Sequence, residues 1–119
     1  MPIPEQMAIL AALEPGWLNG EGTAFDHAAL KRISICLEAY EWGWDLPRPF
    51  IYPTVDGQVR AEWNAFPRSL LLTFAADGRS ADLEAIQQFD GDIERATYAP
   101  LFANATQLGD ALHGYLSMS

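Results

Sequence analysis

The sequence predicts an α+β fold in which a four- to five-stranded antiparallel meander sheet is packed on one face by a long helix. Three Asp-Gly pairs, at residues 56–57, 77–78 and 90–91, separate apolar, β-prone segments in the second half of the chain. One of these segments alternates between apolar and polar residues, and the segment before Gly43 carries an apolar stripe at helical spacing. Helices that are segregated from antiparallel strands are typical of the α+β class.

Three helices are predicted, and the N- and C-terminal ones are short. The first covers residues 4–13. The second begins near Thr23, which together with Asp26 resembles a capping box, and it ends at Gly43. The third covers residues 106–116. The apolar stripe of the long second helix consists of Leu30, Ile33, Leu37 and Tyr40.

The strands are predicted from the positions of the turns. Residues 50–54 form the first strand, and Pro53 places it at a sheet edge because proline cannot donate to a ladder. Residues 58–64, 69–75 and 92–98 form further strands. Each Asp-Gly pair is expected to form a tight hairpin turn, with positive φ at both central residues.

Alternation predicts which side chains the sheet buries. The wet face of the 58–64 strand carries Arg60, Glu62 and Asn64. One buried and one hydrated face is the pattern of an antiparallel sheet, and we expect the long helix to lie across the buried face. The stretch 80–89 fits either a bulged strand or a poor helix. The predicted core face comprises Val59, Ala61, Trp63, Leu70, Leu72 and Phe74.

Length and composition predict a single domain spanning residues 1–119. The chain has 119 residues, of which 50% are hydrophobic, and such a chain can bury a core without metals or disulfides. Its single cysteine, Cys36, cannot form an internal bridge. We read no signal peptide and no apolar stretch that is long enough to span a membrane, so a cytoplasmic location is predicted.

The charge of the chain is strongly negative, with 16 acidic residues against 7 basic ones and a net charge of −9. This balance argues against direct binding of nucleic-acid phosphates or of anionic membranes, since both require a positive surface. It is explained either by solubility or by a partner protein with a basic surface. The acidic residues are concentrated late in the chain, at Asp82, Glu84, Asp90, Asp92 and Glu94.

No catalytic, cofactor or metal site is predicted. Cys36 and His27 fall on opposite sides of one predicted helix, and a lone cysteine beside a core stripe is usually a small buried hydrophobe. His113 would approach Cys36 only through tertiary packing. The chain has no HExxH, CxxC, EF-hand or phosphate-loop pattern. Glu62 follows the wet face of its strand, where an ion pair with an arginine is the expected role.

The four tryptophans are many for so short a chain. Trp42 and Trp44 flank the glycine at the end of the second helix, and Phe50 and Tyr52 follow closely. These rings either cover the open end of the core or form a surface patch. Tryptophan and tyrosine dominate the binding energy of protein–protein interfaces, so the second reading predicts a protein contact.

The sequence resembles a set of small, uncharacterised bacterial proteins that share a Gly-Trp-Asp-Gly-x-Gly loop and a Pro-Thr-x-Asp-Gly-Gly turn before a Glu-Trp strand. The resemblance covers residues 10–98. It departs at Leu18-Asn19, which replaces the acidic loop residue, and at Gln58, which replaces the second glycine of the turn. It implies an α+β fold and a bacterial origin, and no activity. The matching residues are Gly16-Trp17, Gly20, Gly22, residues 53–57 and Glu62-Trp63.

These observations favour a non-enzymatic acidic protein-binding module, such as an antitoxin, an immunity-type inhibitor or the small partner of a two-gene pair. One alternative is a self-associating structural protein, a homodimer formed through the Pro53 strand or the aromatic end. Another is a small enzyme whose site forms only in three dimensions. The predicted protein-binding residues are Trp42, Trp44, Tyr52, Asp82, Glu84, Asp90, Asp92 and Glu94.

Overall fold

The computed structural model describes residues 1–65, 67–87, 89 and 91–117. Within these ranges the chain forms an α+β fold, as predicted, and the stretch 80–89 contains a strand rather than a helix. In chain order the elements are α1 (Ile3–Ala11), α2 (His27–Gly43), β1 (Phe50–Pro53), β2 (Val59–Ala65), β3 (Arg68–Phe74), β4 (Ala81–Gln87), β5 (Ile93–Tyr98), a 3₁₀ turn (Phe102–Asn104) and α3 (Ala105–Ser117).

The five strands form one antiparallel sheet with the order β1-β2-β3-β4-β5, which confirms the predicted meander. β1 and β5 are the two edge strands, so Pro53 lies at an edge, as its missing N–H requires. The predicted core face is also confirmed, because Val59, Ala61 and Trp63 of β2 are buried, as are Leu70, Leu72 and Phe74 of β3. No helix in the described part of the chain is long and apolar enough to cross a membrane.

The helical layer differs from the prediction of one long helix across the sheet. α1 lies against β1 and α2, whereas α3 lies against β3. The apolar stripe of α2 joins the same core as Ile3 of α1 and Leu108 of α3. The reason is width, since five strands about 4.8 Å apart are wider than one helix of about 10 Å. α3 is correspondingly longer than predicted, with 13 residues.

The Asp-Gly pairs at residues 56–57 and 77–78 form turns of a different type from the predicted one. The Gly57 N–H donates to the carbonyl of Thr54 at 3.2 Å, and the Gly78 N–H donates to that of Ala75 at 2.8 Å. Only the glycine of each pair has positive φ. The aspartates therefore occupy the third position of ordinary turns within longer loops. The third pair includes Asp90, which lies outside the described residues.

The start of α2 is also corrected. The helix begins after Asp26, whose carboxylate accepts the N–H of Ala28 at 3.4 Å. Thr23 was predicted as the cap, but its backbone N–H instead donates to the carbonyl of Val55 at 3.1 Å. The segment before α2 is thereby tied to the loop between β1 and β2. The spacing of Thr23 and Asp26 resembles a capping box, but Asp26 is itself the N-cap residue, and the bond from residue 23 uses only its backbone.

Candidate functional site

The face of the sheet that points away from the three helices carries side chains that are exposed or half-exposed. The strand register arranges them in three rows, and we call this set the open face. The first row is Tyr52, Arg60, Thr73, Asp82 and Thr97. The second row is Phe50, Glu62, Leu71, Glu84 and Arg95. The third row is Asn64, Ser69, Ile86 and Ile93.

Two polar pairs lie between β4 and β5 on the open face. The Thr97 hydroxyl donates to Asp82 Oδ1 at 2.7 Å, and Arg95 Nε lies 3.7 Å from Glu84 Oε1. Glu62 has no ion pair with any described residue, contrary to the prediction, because the register places Phe50 and Leu71 opposite it. The middle of this face is therefore a carboxylate between two apolar side chains.

Arg60 is the least satisfied polar group of the open face. Its Nε atom is shielded from solvent and has no hydrogen-bond partner among the described residues. The register sets it between Tyr52 and Thr73. A buried donor without an acceptor is unfavourable, and proteins rarely leave one so. A hydrogen bond from this guanidinium to an acceptor on a binding partner would therefore contribute more free energy than the same bond from a hydrated arginine.

Apolar side chains complete the open face. Phe50 is 64% exposed and Ile93 is 46% exposed. The rings of Phe50 and Tyr52 lie 5.7 Å apart, within the range of favourable aromatic pairs. The same two rings border a groove of about 470 Å³ between α1 and β1, which also includes Ile9 and Leu10. The open face therefore carries exposed aromatic and aliphatic side chains between charged ones.

The structure brings only part of the predicted binding residues together. Tyr52, Asp82 and Glu84 lie on the open face. Glu94 lies on the helix-covered side, where its carboxylate accepts the hydroxyl of Tyr115. Asp92 precedes β5, and its carbonyl accepts the Gln87 N–H at 2.9 Å. The predicted residue Asp90 lies outside the described residues.

The two predicted tryptophans also separate. Trp42 is 83% exposed near the end of α2. Trp44 turns inward, where its indole N–H donates to Asp110 Oδ1 at 3.1 Å and its ring stands edge-on to Tyr40 at 5.4 Å. A Cβ at Gly109 would lie 2.6 Å from the Trp44 ring, so the glycine makes room for it. Trp44 thus contacts both α2 and α3 and stabilises the packing between them.

Sequence reasoning missed Arg60, Leu71, Ile86 and Arg95 as neighbours on one surface. The alternation of β2 correctly placed Arg60 on the wet face. However, the grouping across strands depends on the register, which the sequence does not show. The alternation along β4 was the one available signal, because Asp82, Glu84 and Ile86 follow each other at a period of two.

The reactive side chains do not converge. Burial raises the pKa of the Cys36 thiol, which suits a core residue and not a nucleophile. His27 Nε2 lies 3.2 Å from the carbonyl of Ala11, and His113 Nε2 lies 3.5 Å from the hydroxyl of Ser117. Among the described residues, no three His, Cys, Asp or Glu side chains are grouped as metal ligands would be.

Alkaline pH is expected to destabilise the fold. Burial raises the pKa of Tyr40, and the hydrogen bond to Glu94 raises the pKa of Tyr115 to about 12. These groups and Cys36 hold their protons more tightly when folded, so their contribution is intact below the unfolded pKa values and is lost as pH rises through the folded ones.

Urea denaturation should therefore give a free energy of unfolding that falls between about pH 9 and 12. Tyr40→Phe removes one titrating group and should flatten that fall. It should also lower stability by about 1 kcal/mol at pH 7, because the Tyr40 hydroxyl donates to the carbonyl of Ala105 at 2.8 Å. An unchanged slope in this variant would contradict the assignment.

Comparison with known proteins adds no relative. No protein-family model, curated protein or solved structure matches this chain. The function is therefore inferred from the geometry and the charge of the chain itself.

Proposed function

We propose that this chain is a non-enzymatic, acidic protein-binding module whose open face binds a partner protein with a basic surface. The observation that carries the proposal is that all three helices share a core with one side of the sheet and leave apolar and charged side chains accessible on the other side. An inhibitor of the antitoxin or immunity type, encoded beside its target in a bacterial genome and acting in the cytoplasm, is the class that these features fit best.

Three properties of the open face support a protein partner. Phe50, Leu71, Ile86 and Ile93 supply apolar area that would be withdrawn from water on binding. Arg60 offers a donor, its Nε atom, that has no acceptor among the described residues. The net charge of −9 creates a field that attracts a basic protein over several ångströms and raises its association rate. The groove beside Phe50 and Tyr52 extends the apolar area towards α1.

The test is co-expression with the product of the neighbouring gene, followed by affinity measurement. The variant Asp82→Lys/Glu84→Lys should weaken binding about tenfold or more, because two interface carboxylates become repulsive cations. Its control is Glu5→Lys/Glu14→Lys, which makes the same change in net charge, from −9 to −5, at exposed positions outside the sheet. The control should lose less than about threefold, a loss due to long-range attraction alone.

Two results would contradict the proposal. The first is that the neighbouring product does not co-purify with the wild-type chain. The second is that both double variants weaken binding equally, which would mean that net charge acts without the open face. The variant Arg60→Met is a further test in which the association and dissociation rates are measured. Loss of the Arg60 donor should accelerate dissociation more than it slows association.

A further inference from the structure

The two edges of the sheet are chemically different. The Thr54 N–H donates to the carbonyl of Gln58, and the register continues from this pair through β1, so residues 49, 51 and 53 point their backbone groups outward. Residues 49 and 53 are prolines and have no N–H. The Ile51 N–H donates to Gln6 Oε1 at 2.8 Å, and Gln6 Nε2 donates to the Pro49 carbonyl at 3.1 Å. The β1 edge therefore has no free donor.

The β5 edge has outward backbone groups without partners in the described part of the chain. The Gln87 N–H donates to the carbonyl of Asp92, and the register continues from this pair, so Ile93, Arg95 and Thr97 point their backbone groups away from β4. All three residues are exposed, and none of their backbone N–H groups donates to a residue in the described part of the chain. A row of unpaired donors and acceptors is a template for another strand.

We propose that β5 pairs antiparallel with β5 of a second copy of this chain, about a two-fold axis at Ala96. A two-fold axis of this kind is perpendicular to the sheet. Two residues that face each other across the contact must therefore point their side chains to the same face of the joined sheet. The contact would join two five-stranded sheets into one continuous sheet. This inference does not depend on the proposed function, because the contact is made by the backbone of β5, although the side chains of Ile93, Arg95 and Thr97 also belong to the open face.

Charge and backbone chemistry select this register. An axis at Arg95 would set two guanidinium groups opposite each other, and an axis at Glu94 would do the same with two carboxylates; both are destabilising. An axis at Thr97 would pair only three residues of each β5 strand, whereas an axis at Ala96 pairs five. With the axis at Ala96, Arg95 faces the partner's Thr97 as a hydrogen-bonded pair.

The centre of the contact suits a small side chain. Ala96 points its backbone groups towards β4, so it faces the partner's Ala96 as a non-hydrogen-bonded pair, where the Cα atoms approach to about 4.5 Å. Glu94 and Arg95 cancel each other's charge within the strand, but two chains of net charge −9 repel. The strand has only 6 residues, and the contact is correspondingly small. We therefore expect a weak dimer that salt strengthens, whereas salt weakens the binding of a basic partner.

The experiment is sedimentation equilibrium from about 10 µM to about 1 mM protein, a range that resolves weak dimers. Ala96→Glu and Ala96→Lys should each weaken the dimer about tenfold, because like charges then face each other. An equimolar mixture of the two variants should form a heterodimer at least as tight as the wild type. Ala96 is exposed, so both variants are expected to fold, which circular dichroism checks.

A second pair of variants tests the backbone ladder. Thr97→Pro removes an outward N–H and no bond to β4, and it should abolish the dimer. Thr97→Val loses the same hydroxyl contact with Asp82 but keeps the N–H, so it should dimerise like the wild type. A wild-type chain that stays monomeric at about 1 mM in high salt, or a mixture of the Ala96 variants that associates no better than either alone, overturns the proposal.

Discussion

Replacing Gln6 by leucine is expected to lower the free energy of unfolding by about 2–4 kcal/mol. Gln6 is only 7% exposed, and its carboxamide satisfies the Ile51 N–H and the carbonyls of Pro49 and Met1. It imitates the peptide group of a neighbouring strand. Leucine has a similar volume but no polar atoms, so the donor at Ile51 and the acceptor at Pro49 would be buried without partners. Urea denaturation at neutral pH measures the loss.

A matched control and an isosteric variant sharpen this result. Gln107→Leu makes the same chemical change at an exposed site of α3 and should alter stability by less than about 0.5 kcal/mol. Gln6→Glu keeps an acceptor for Ile51, but its carboxylate cannot donate to Pro49. Burial among carbonyls should raise the pKa of this carboxyl, so the variant should regain stability at low pH and lose it as pH rises. Equal losses in the two leucine variants would contradict the role given to Gln6.

Gln6→Leu should also change the behaviour of the sheet edge. With the carboxamide gone, the Ile51 N–H is the one outward donor of β1 and has no partner, and any displacement of α1 that exposes it promotes association at this edge. The structure gives no support to self-association of the wild-type chain through the Pro53 strand, because Gln6 and two prolines close that edge. A Thr97→Pro/Gln6→Leu double variant separates the two edges, since Thr97→Pro is expected to abolish pairing through β5, and strand pairing that persists would then use β1.

The fold was readable from the sequence wherever burial follows a simple period. Val59, Ala61 and Trp63 alternate with polar residues, so the face of β2 could be assigned before its neighbours were known. β5 has no such alternation, and the side taken by Glu94 could not be inferred. The half-buried position of Trp44 could not be inferred for a different reason, because the residue that accommodates it, Gly109, lies in another helix far along the chain.

The turns show the limit of dipeptide signals. The turn in which both central residues have positive φ is formed by Asn19 and Gly20, with φ of 51° and 90°, between Leu18 and Glu21. No apolar strands flank this pair, so the sequence signal of a hairpin is missing there. The Asp-Gly pairs at residues 56–57 and 77–78 were correctly placed between strands, but a type I turn with glycine at its fourth position uses the same dipeptide. The grouping of residues on the open face could not be predicted from the sequence, because its rows depend on the register of all five strands.

Gly78→Ala is expected to destabilise the chain by about 2–4 kcal/mol, because two effects act together. Gly78 has φ of +69°, a conformation that L side chains rarely adopt. A Cβ there would lie 2.8 Å from the carbonyl oxygen of Ala29, which belongs to α2. Arg32 of the same helix holds this turn, since its Nε and Nη2 donate to the Asp77 carbonyl at 3.0 and 2.7 Å. The turn therefore cannot move away without breaking both bonds.

Gly91→Ala separates the two effects. Gly91 has nearly the same φ, +71°, but a Cβ there would meet no atom within 4 Å. Its substitution should cost about 1 kcal/mol, which is the backbone strain alone. The difference between the two variants then measures how tightly the β3–β4 turn docks on α2, and Arg32→Ala should reduce that difference because the turn becomes free to shift. If both glycine variants lose the same stability, the turn does not hold α2, and the helix depends only on its apolar stripe.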